Sequence, residues 1–145
     1  MASEVKALET LTDTAIDSAK GYETAAETAK STHLKTVLKE QAAKRRQLVA
    51  DLNAEIQRLG GSPRTSGSTA GAAHRVWTAI TDAFSSGDEE AAERVEEGED
   101  YIEKKFRKAL DEMTFDPRTR EVLVRAHAQI AEGERLTDRL EDQYD

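Results

Sequence analysis

An all-α fold is what this sequence predicts, built from two antiparallel helical hairpins joined by a long crossover. Three observations point there. Apolar residues recur at three- and four-residue steps through four long segments. Aromatic residues make up 5% and charged residues 34% of the chain, with two prolines, a balance suited to long solvated helices rather than to a sandwich or barrel. Only one stretch, GGSPRTSGSTAGAAH at 60–74, is rich in Gly and Ser. At 145 residues the chain can bury a core as one domain spanning 1–145.

The first helix is expected over about 3–30, capped by Ser3, with Val5, Leu8, Ala15, Ala19, Tyr22, Ala26 and Ala29 on one stripe. Ser31 or Thr32 caps a second helix over 32–59, whose stripe reads Leu34, Leu38, Gln41, Arg45, Leu48, Leu52, Ile56 and Leu59 and stops at Gly60-Gly61. So short a connection makes a hairpin. The crossover, 60–87, carries a short helix at about 72–85 with Ala73, Val76, Trp77, Ile80 and Phe84 at helical spacing. Asp88, Glu89 and Glu90 suit the start of the next helix, 88–113, which turns Ala92, Val95, Glu99, Ile102, Phe106, Ala109, Leu110 and Met113 inward. Asp116-Pro117 opens the last, 117–142, with Val122, Leu123, Ala126, Ile130, Gly133, Thr137 and Leu140 inward. Two hairpins with a crossover long enough to run the length of a bundle match the ferritin-like four-helix topology. Gly21, Gly98 and Gly133 each interrupt a helix at a cost of about 1 kcal/mol relative to alanine, which points to close helix packing at those positions.

Composition narrows the function. A formal charge of −8 argues against nucleic acid or anionic lipid as partner, because both need clustered Lys and Arg, and the one dense basic run is Lys44-Arg45-Arg46. With no cysteine, disulfides, zinc-thiolate sites and thiol catalysis are excluded. The polar start MASEVKALET and the lack of any run of about 18 apolar residues give no signal peptide and no membrane span, so a cytoplasmic protein is expected. An exposed stripe at Leu11 and Ile16 offers a homodimer contact.

Hairpin arithmetic brings polar groups from all four helices to one depth: Glu23, then Glu40, Gln41 and Arg45, then Glu99, then His127 and Glu134. A di-metal bundle supplies one Glu from each of two helices and a Glu-x-x-His pair from each of the others, because such ions take carboxylates and imidazoles together. The lone carboxylates Glu23 and Glu99 are present; neither pair is. No metal is therefore expected, and the residues left as candidate ligands are Glu23, Glu40, Glu99, His127 and Glu134. Inward carboxylates need a compensating cation, and Arg45 has the planar, permanently charged fork to supply it. Glu23, Gln41, Arg45 and Glu99 are then a structural polar network. In the opposing arrangement helix 2 rolls and Arg45 snorkels outward.

Four segments in order, Lys20-Gly-Tyr-Glu23, Gly60-Gly-Ser-Pro63 with Gly67-Ser68, Gly71-Ala-Ala-His-Arg-Val-Trp77 and Glu97-Gly-Glu-Asp100, resemble a bacterial family of ferritin-like four-helix-bundle proteins known only as a domain of unknown function. The resemblance covers nearly the whole chain. It implies the ferritin-like fold and a loose relation to bacterial stress proteins and rubrerythrin-type di-iron bundles, and no established activity. Against the rubrerythrin pattern, Arg45 and Leu48 stand at the helix 2 ligand positions, while Glu134 falls near a helix 4 ligand. His74, Arg75 and Trp77 are expected to pack the crossover, Trp77 in the core and the other two hydrogen-bonded to helix ends.

Three functions follow in order of preference. The first is a non-catalytic bundle without a cofactor, a stress-related structural or interaction protein. The second is an iron- or manganese-dependent oxidase or iron-handling protein, disfavoured by the absent Glu-x-x-His pairs. The third, a small-molecule or lipid binder, needs an apolar cavity that nothing in the spacing demands.

Overall fold

The computed structural model describes the backbone of residues 2–67, 72–84 and 87–144, and the side chains within 3–67, 75–80, 82–83, 87–88 and 91–133. The inward positions expected at Ala73, Phe84, Thr137 and Leu140, and the side chains of His74 and Glu134, lie outside it, as do Ser68 and Gly71. The regular structure among the described residues is all helical, with no strand: α1 (Ala2–Thr28), α2 (Thr32–Arg58), α3 (Ala72–Phe84), α4 (Asp88–Glu112) and α5 (Pro117–Tyr144). None of these helices is long and apolar enough to cross a membrane.

Local chemistry sets most of the helix ends. Ser31 caps α2, its hydroxyl accepting from the Leu34 N–H at 3.2 Å. At the other end Gly60 takes a φ of 93°, its N–H bonding the Gln57 carbonyl while the Gly61 N–H reaches Ile56, a Schellman closure that a side chain at Gly60 would strain. Asp116 caps α5 by accepting from the Thr119 N–H at 2.9 Å, with Pro117 in the first turn. Two starts differ from expectation. Ser3 lies inside α1, which begins at Ala2. The Asp88 carboxylate, rather than serving its own helix, accepts from the Lys30 and Ser31 N–H groups at 3.0 and 2.8 Å and so ties α4 to the α1–α2 turn.

These contacts settle the directions of the helices. α1 and α2 run antiparallel, as do α4 and α5, the latter shown by Glu103 meeting His127 and Leu110 meeting Arg120. Asp88 at the top of α1 and Glu4, which accepts from the Asp116 N–H, make α1 and α4 antiparallel too. The chain therefore leaves α2 at one end and enters α4 at the other. Residues 61–67 cover the first part of that distance along α1: Arg64 forks onto Asp13, Asn53 holds the Arg64 backbone through its amide oxygen and nitrogen, and Lys20 donates to the Ser66 carbonyl. The expected dimer stripe is corrected: Leu11 packs in the bundle core and Ile16 lies under the crossover. Leu11 is 5% and Ile16 1% exposed, with Gly67 packed directly over Ile16.

The core has two apolar clusters. One gathers Leu8, Ile16, Leu52, Ile56, Ile102, Phe106, Leu123 and Ile130; the other gathers Tyr22, Leu34, Leu38, Trp77, Ile80 and Val95. α1 contributes to both although it is rich in threonine, because buried Thr12 and Thr14 donate to the carbonyls of Leu8 and Thr10 one turn back and leave no hydroxyl hydrogen unsatisfied. Trp77 explains two of the glycines. Its indole lies in a slot between α1 and α4, where a Cβ on Gly21 would come within 2.3 Å of Cε3 and one on Gly98 within 3.0 Å of Cζ2. Its ring is 5.0 Å from that of Tyr22. Arg75, on the same helix, stays exposed.

Candidate functional site

Between the two apolar clusters lies a polar layer. The sequence brings it there because Ser18, Gln41, Arg45 and Glu99 occupy stripe positions that Ala15, Leu38, Leu48 and Ile102 continue in apolar form. Arg45 is 3% and Glu99 0% exposed, and Nη2 of Arg45 donates to both carboxylate oxygens, at 3.0 Å to Oε1 and 2.9 Å to Oε2. Nη1 donates to Ser18 Oγ at 2.8 Å, and Ser18 in turn donates to the Ala15 carbonyl at 2.8 Å. The guanidinium carbon sits 5.7 Å from the centre of the Tyr22 ring.

Gly133 makes room for this group. A Cβ there would fall 2.9 Å from Glu99 Oε2, 3.3 Å from Gln41 Oε1 and 3.6 Å from Arg45 Nη2. All three interrupting glycines thus mark close packing, two against an indole and one against an ion pair.

Burial by itself works against a charged guanidinium, but the Glu99 carboxylate outweighs it and holds Arg45 above its ordinary value. Burial, then the negative charge of Glu99, push the Tyr22 phenol well above its ordinary value. Among the described residues neither Tyr22 Oη nor Trp77 Nε1 closes a hydrogen bond. The layer is thus a buried Arg–Glu pair set against an aromatic ring.

Glu23 does not join it. One residue beyond Tyr22, it points about 100° away on the helical wheel and pairs on the surface with Arg46, whose Nε and Nη2 donate at 3.0 and 2.8 Å. That fork lowers its pKa. Of the four residues expected to cluster, three are buried in the layer and Glu23 is 44% exposed outside it.

The candidate ligands scatter in the same way. Glu40 is exposed, Glu23 belongs to Arg46, Glu99 belongs to Arg45, and His127 Nε2 lies 2.7 Å from Glu103 Oε2. Among the described residues no three His, Asp or Glu side chains gather closely enough to hold a metal ion. The donor set that a rubrerythrin-type centre would need is not assembled by these residues, since the inward carboxylate already has both oxygens on a guanidinium.

Sequence reasoning missed a second polar cluster, at the end of the bundle where α2 stops and α5 starts. Glu55, 3% exposed, accepts from Arg58 Nε and Nη2 at 2.8 and 2.6 Å and from Thr119 Oγ1 at 2.6 Å. Arg58 continues to Asp116 at 3.0 Å. The signal was present as Glu55-x-x-Arg58 together with Asp116-Pro-x-Thr119, but nothing local says that the two meet. Donation from Arg58, opposed by burial and aided by Thr119, holds the Glu55 carboxyl below its ordinary value. The Thr119 N–H does the same for Asp116.

The sign of the pH dependence follows. Carboxylates with lowered folded pKa values stabilise the fold above their unfolded values, about 4, and that stabilisation is lost as pH falls through the lower folded values. Urea midpoints should therefore be flat near neutrality and fall below about pH 4. Thr119→Val, which removes one donor to Glu55, should flatten part of that acid limb. An acid limb identical to the parent's would show that the Thr119 hydroxyl does not set the Glu55 titration.

Fold and site together define an all-helical protein with a buried Arg–Glu pair at mid-depth. The family model described as "Domain of unknown function (DUF2383)" matches residues 3–112, and the chain belongs to that family. The match takes in α1 to α4 and ends at the last residue of α4, a shorter span than the near-whole-chain resemblance of the sequence motifs. No curated protein and no solved structure matches the chain.

Proposed function

We propose that this chain is a single-domain, ferritin-like four-helix bundle working as a non-catalytic structural or interaction protein in the cytoplasm, stress-linked as its resemblance implies. The observation that carries the reading is the commitment of both Glu99 oxygens to Arg45, at 2.9 and 3.0 Å, in the layer where a di-metal bundle keeps its ions. A guanidinium there does the electrostatic work of a metal, neutralising the inward acid, without an open coordination position or a redox couple. The crossover that enters α4 at the far end of the bundle supports the ferritin-like topology, and the lack of cysteine suits a reducing compartment.

The test is elemental analysis of protein expressed in medium supplemented with iron and manganese. The expected result is metal well below one equivalent per chain, unchanged by Glu99→Gln. Near-stoichiometric iron or manganese that disappears in Glu99→Gln would replace this reading with a metal-dependent oxidase or iron-handling protein.

A further inference from the structure

We propose that two copies of this chain associate through the face formed by α2 and α5, about a two-fold axis parallel to the helices that seats α2 of each copy on α5 of the other. The proposal is independent of the functional reading above. The α1 and α4 side is covered, by residues 61–67 along α1 and by Trp77 of α3 between the two helices. Among the described residues the opposite side carries no such cover. There α2 and α5 leave a groove of about 580 Å3, floored by Leu48, Val122 and Ala126.

The second copy is identified as the occupant by charge at matching levels. Contacts from Glu55 and Arg58 to Thr119, and the approach of Gly133 to Arg45, make α2 and α5 antiparallel and set their register. In that register Asp51 on α2 stands level with Arg125 on α5, and Lys44 stands level with Glu132, one heptad away. All four are exposed. Within one chain Asp51 only accepts from Gln47, at 3.1 Å, and among the described residues Arg125 closes no ion pair.

A two-fold axis along the bundle exchanges the walls of the groove and keeps their levels. Asp51 then faces the second copy's Arg125, Lys44 faces its Glu132, and each contact is made twice, as an isologous interface requires. For a chain of formal charge −8, most faces repel a second copy; at the Asp51 and Lys44 levels this one presents opposite signs to itself. Farther along the groove Arg58 and Arg118 lie against Glu55, and Arg58 also reaches Asp116, so two arginines and two acids balance within the chain there, while Glu121 stays exposed on the α5 wall.

Sedimentation equilibrium on the full chain tests this. The parent should dimerise. Asp51→Arg and Arg125→Asp, each placing like charges together twice, should each raise the dimer Kd by about tenfold or more. Both positions are exposed, and circular dichroism should show both variants folded. An equimolar mixture of the two variants should recover the parental Kd, because every facing pair in the mixed dimer is again Asp with Arg. Pairing across the groove within one chain cannot be repaired by mixing. A parent that stays monomeric to its solubility limit, as it would if the groove took a helix of another protein, overturns the proposal. A dimer indifferent to both variants, or single variants not rescued by mixing, overturns it too.

Discussion

Arg45→Met should cost the folded state about 3–5 kcal/mol, because it leaves the Glu99 carboxyl fully buried and without its partner. That is a large share of the roughly 5–15 kcal/mol that holds a typical domain folded. Glu99→Leu alone should cost about as much, by stranding a buried guanidinium that keeps its hydrogen bond to Ser18 and its place beside the Tyr22 ring but has lost its counter-charge. The double variant Arg45→Met, Glu99→Leu should return to within about 1 kcal/mol of the parent or exceed it, since no charge is then buried and the volumes are roughly kept. Ser18 tolerates the change because its hydroxyl still reaches the Ala15 carbonyl. Urea denaturation of the four proteins at neutral pH closes the cycle. Additive losses, with the double variant the least stable, would mean that the two side chains do not act as a pair and would remove the basis of the site.

Trp77 sets up the second large effect, one of changing sign. Trp77→Ala should destabilise by about 3–5 kcal/mol as the slot between α1 and α4 empties. Gly21→Ala in the parent should cost about 1–3 kcal/mol, because its Cβ would arrive 2.3 Å from the indole and the ring is wedged against Gly98 on the far side. In the Trp77→Ala background the same Gly21→Ala should be neutral or stabilise by about 1 kcal/mol, the helix propensity of alanine being all that remains. Thermal and urea melts of the four proteins measure the coupling. If Gly21→Ala costs the same in both backgrounds, the glycine is not there for the indole.

Much of this molecule was open to a reader of the chain alone, for reasons that are local. Ser31, Gly60-Gly61 and Asp116-Pro117 mark helix ends because a cap, a positive φ and a missing N–H act within a few residues of themselves. The inward stripe of α2 could be traced through Gln41 and Arg45 since a helix repeats every 3.6 residues whatever its side chains are. Glu23 shows where such reasoning stops. Depth along a bundle can be counted from a turn, and Glu23 is at the right depth, but a 100° difference in facing sends it to Arg46 and leaves Tyr22 as the neighbour of Arg45.

Leu11 and Ile16 fail for another reason. Leu11 belongs to the core cluster with Leu8 and Ala15, and Ile16 looks spare on a helical wheel only until residues 61–67 fold back along α1, a contact between segments some fifty positions apart, as Arg64 and Asp13 are. The Glu55–Arg58–Thr119 cluster is of the same kind, its halves far apart in the chain.

What the order of amino acids determined by itself is therefore the all-helical class, the helix limits and the presence of an arginine on an inward stripe, because propensity, capping and periodicity are properties of neighbours in the chain. Which acid that arginine would hold, which glycine would yield it space and which stripe the crossover would hide were decided only by tertiary structure. Pairing energies of buried charges depend on distances and dielectric surroundings that exist only once separate helices have packed.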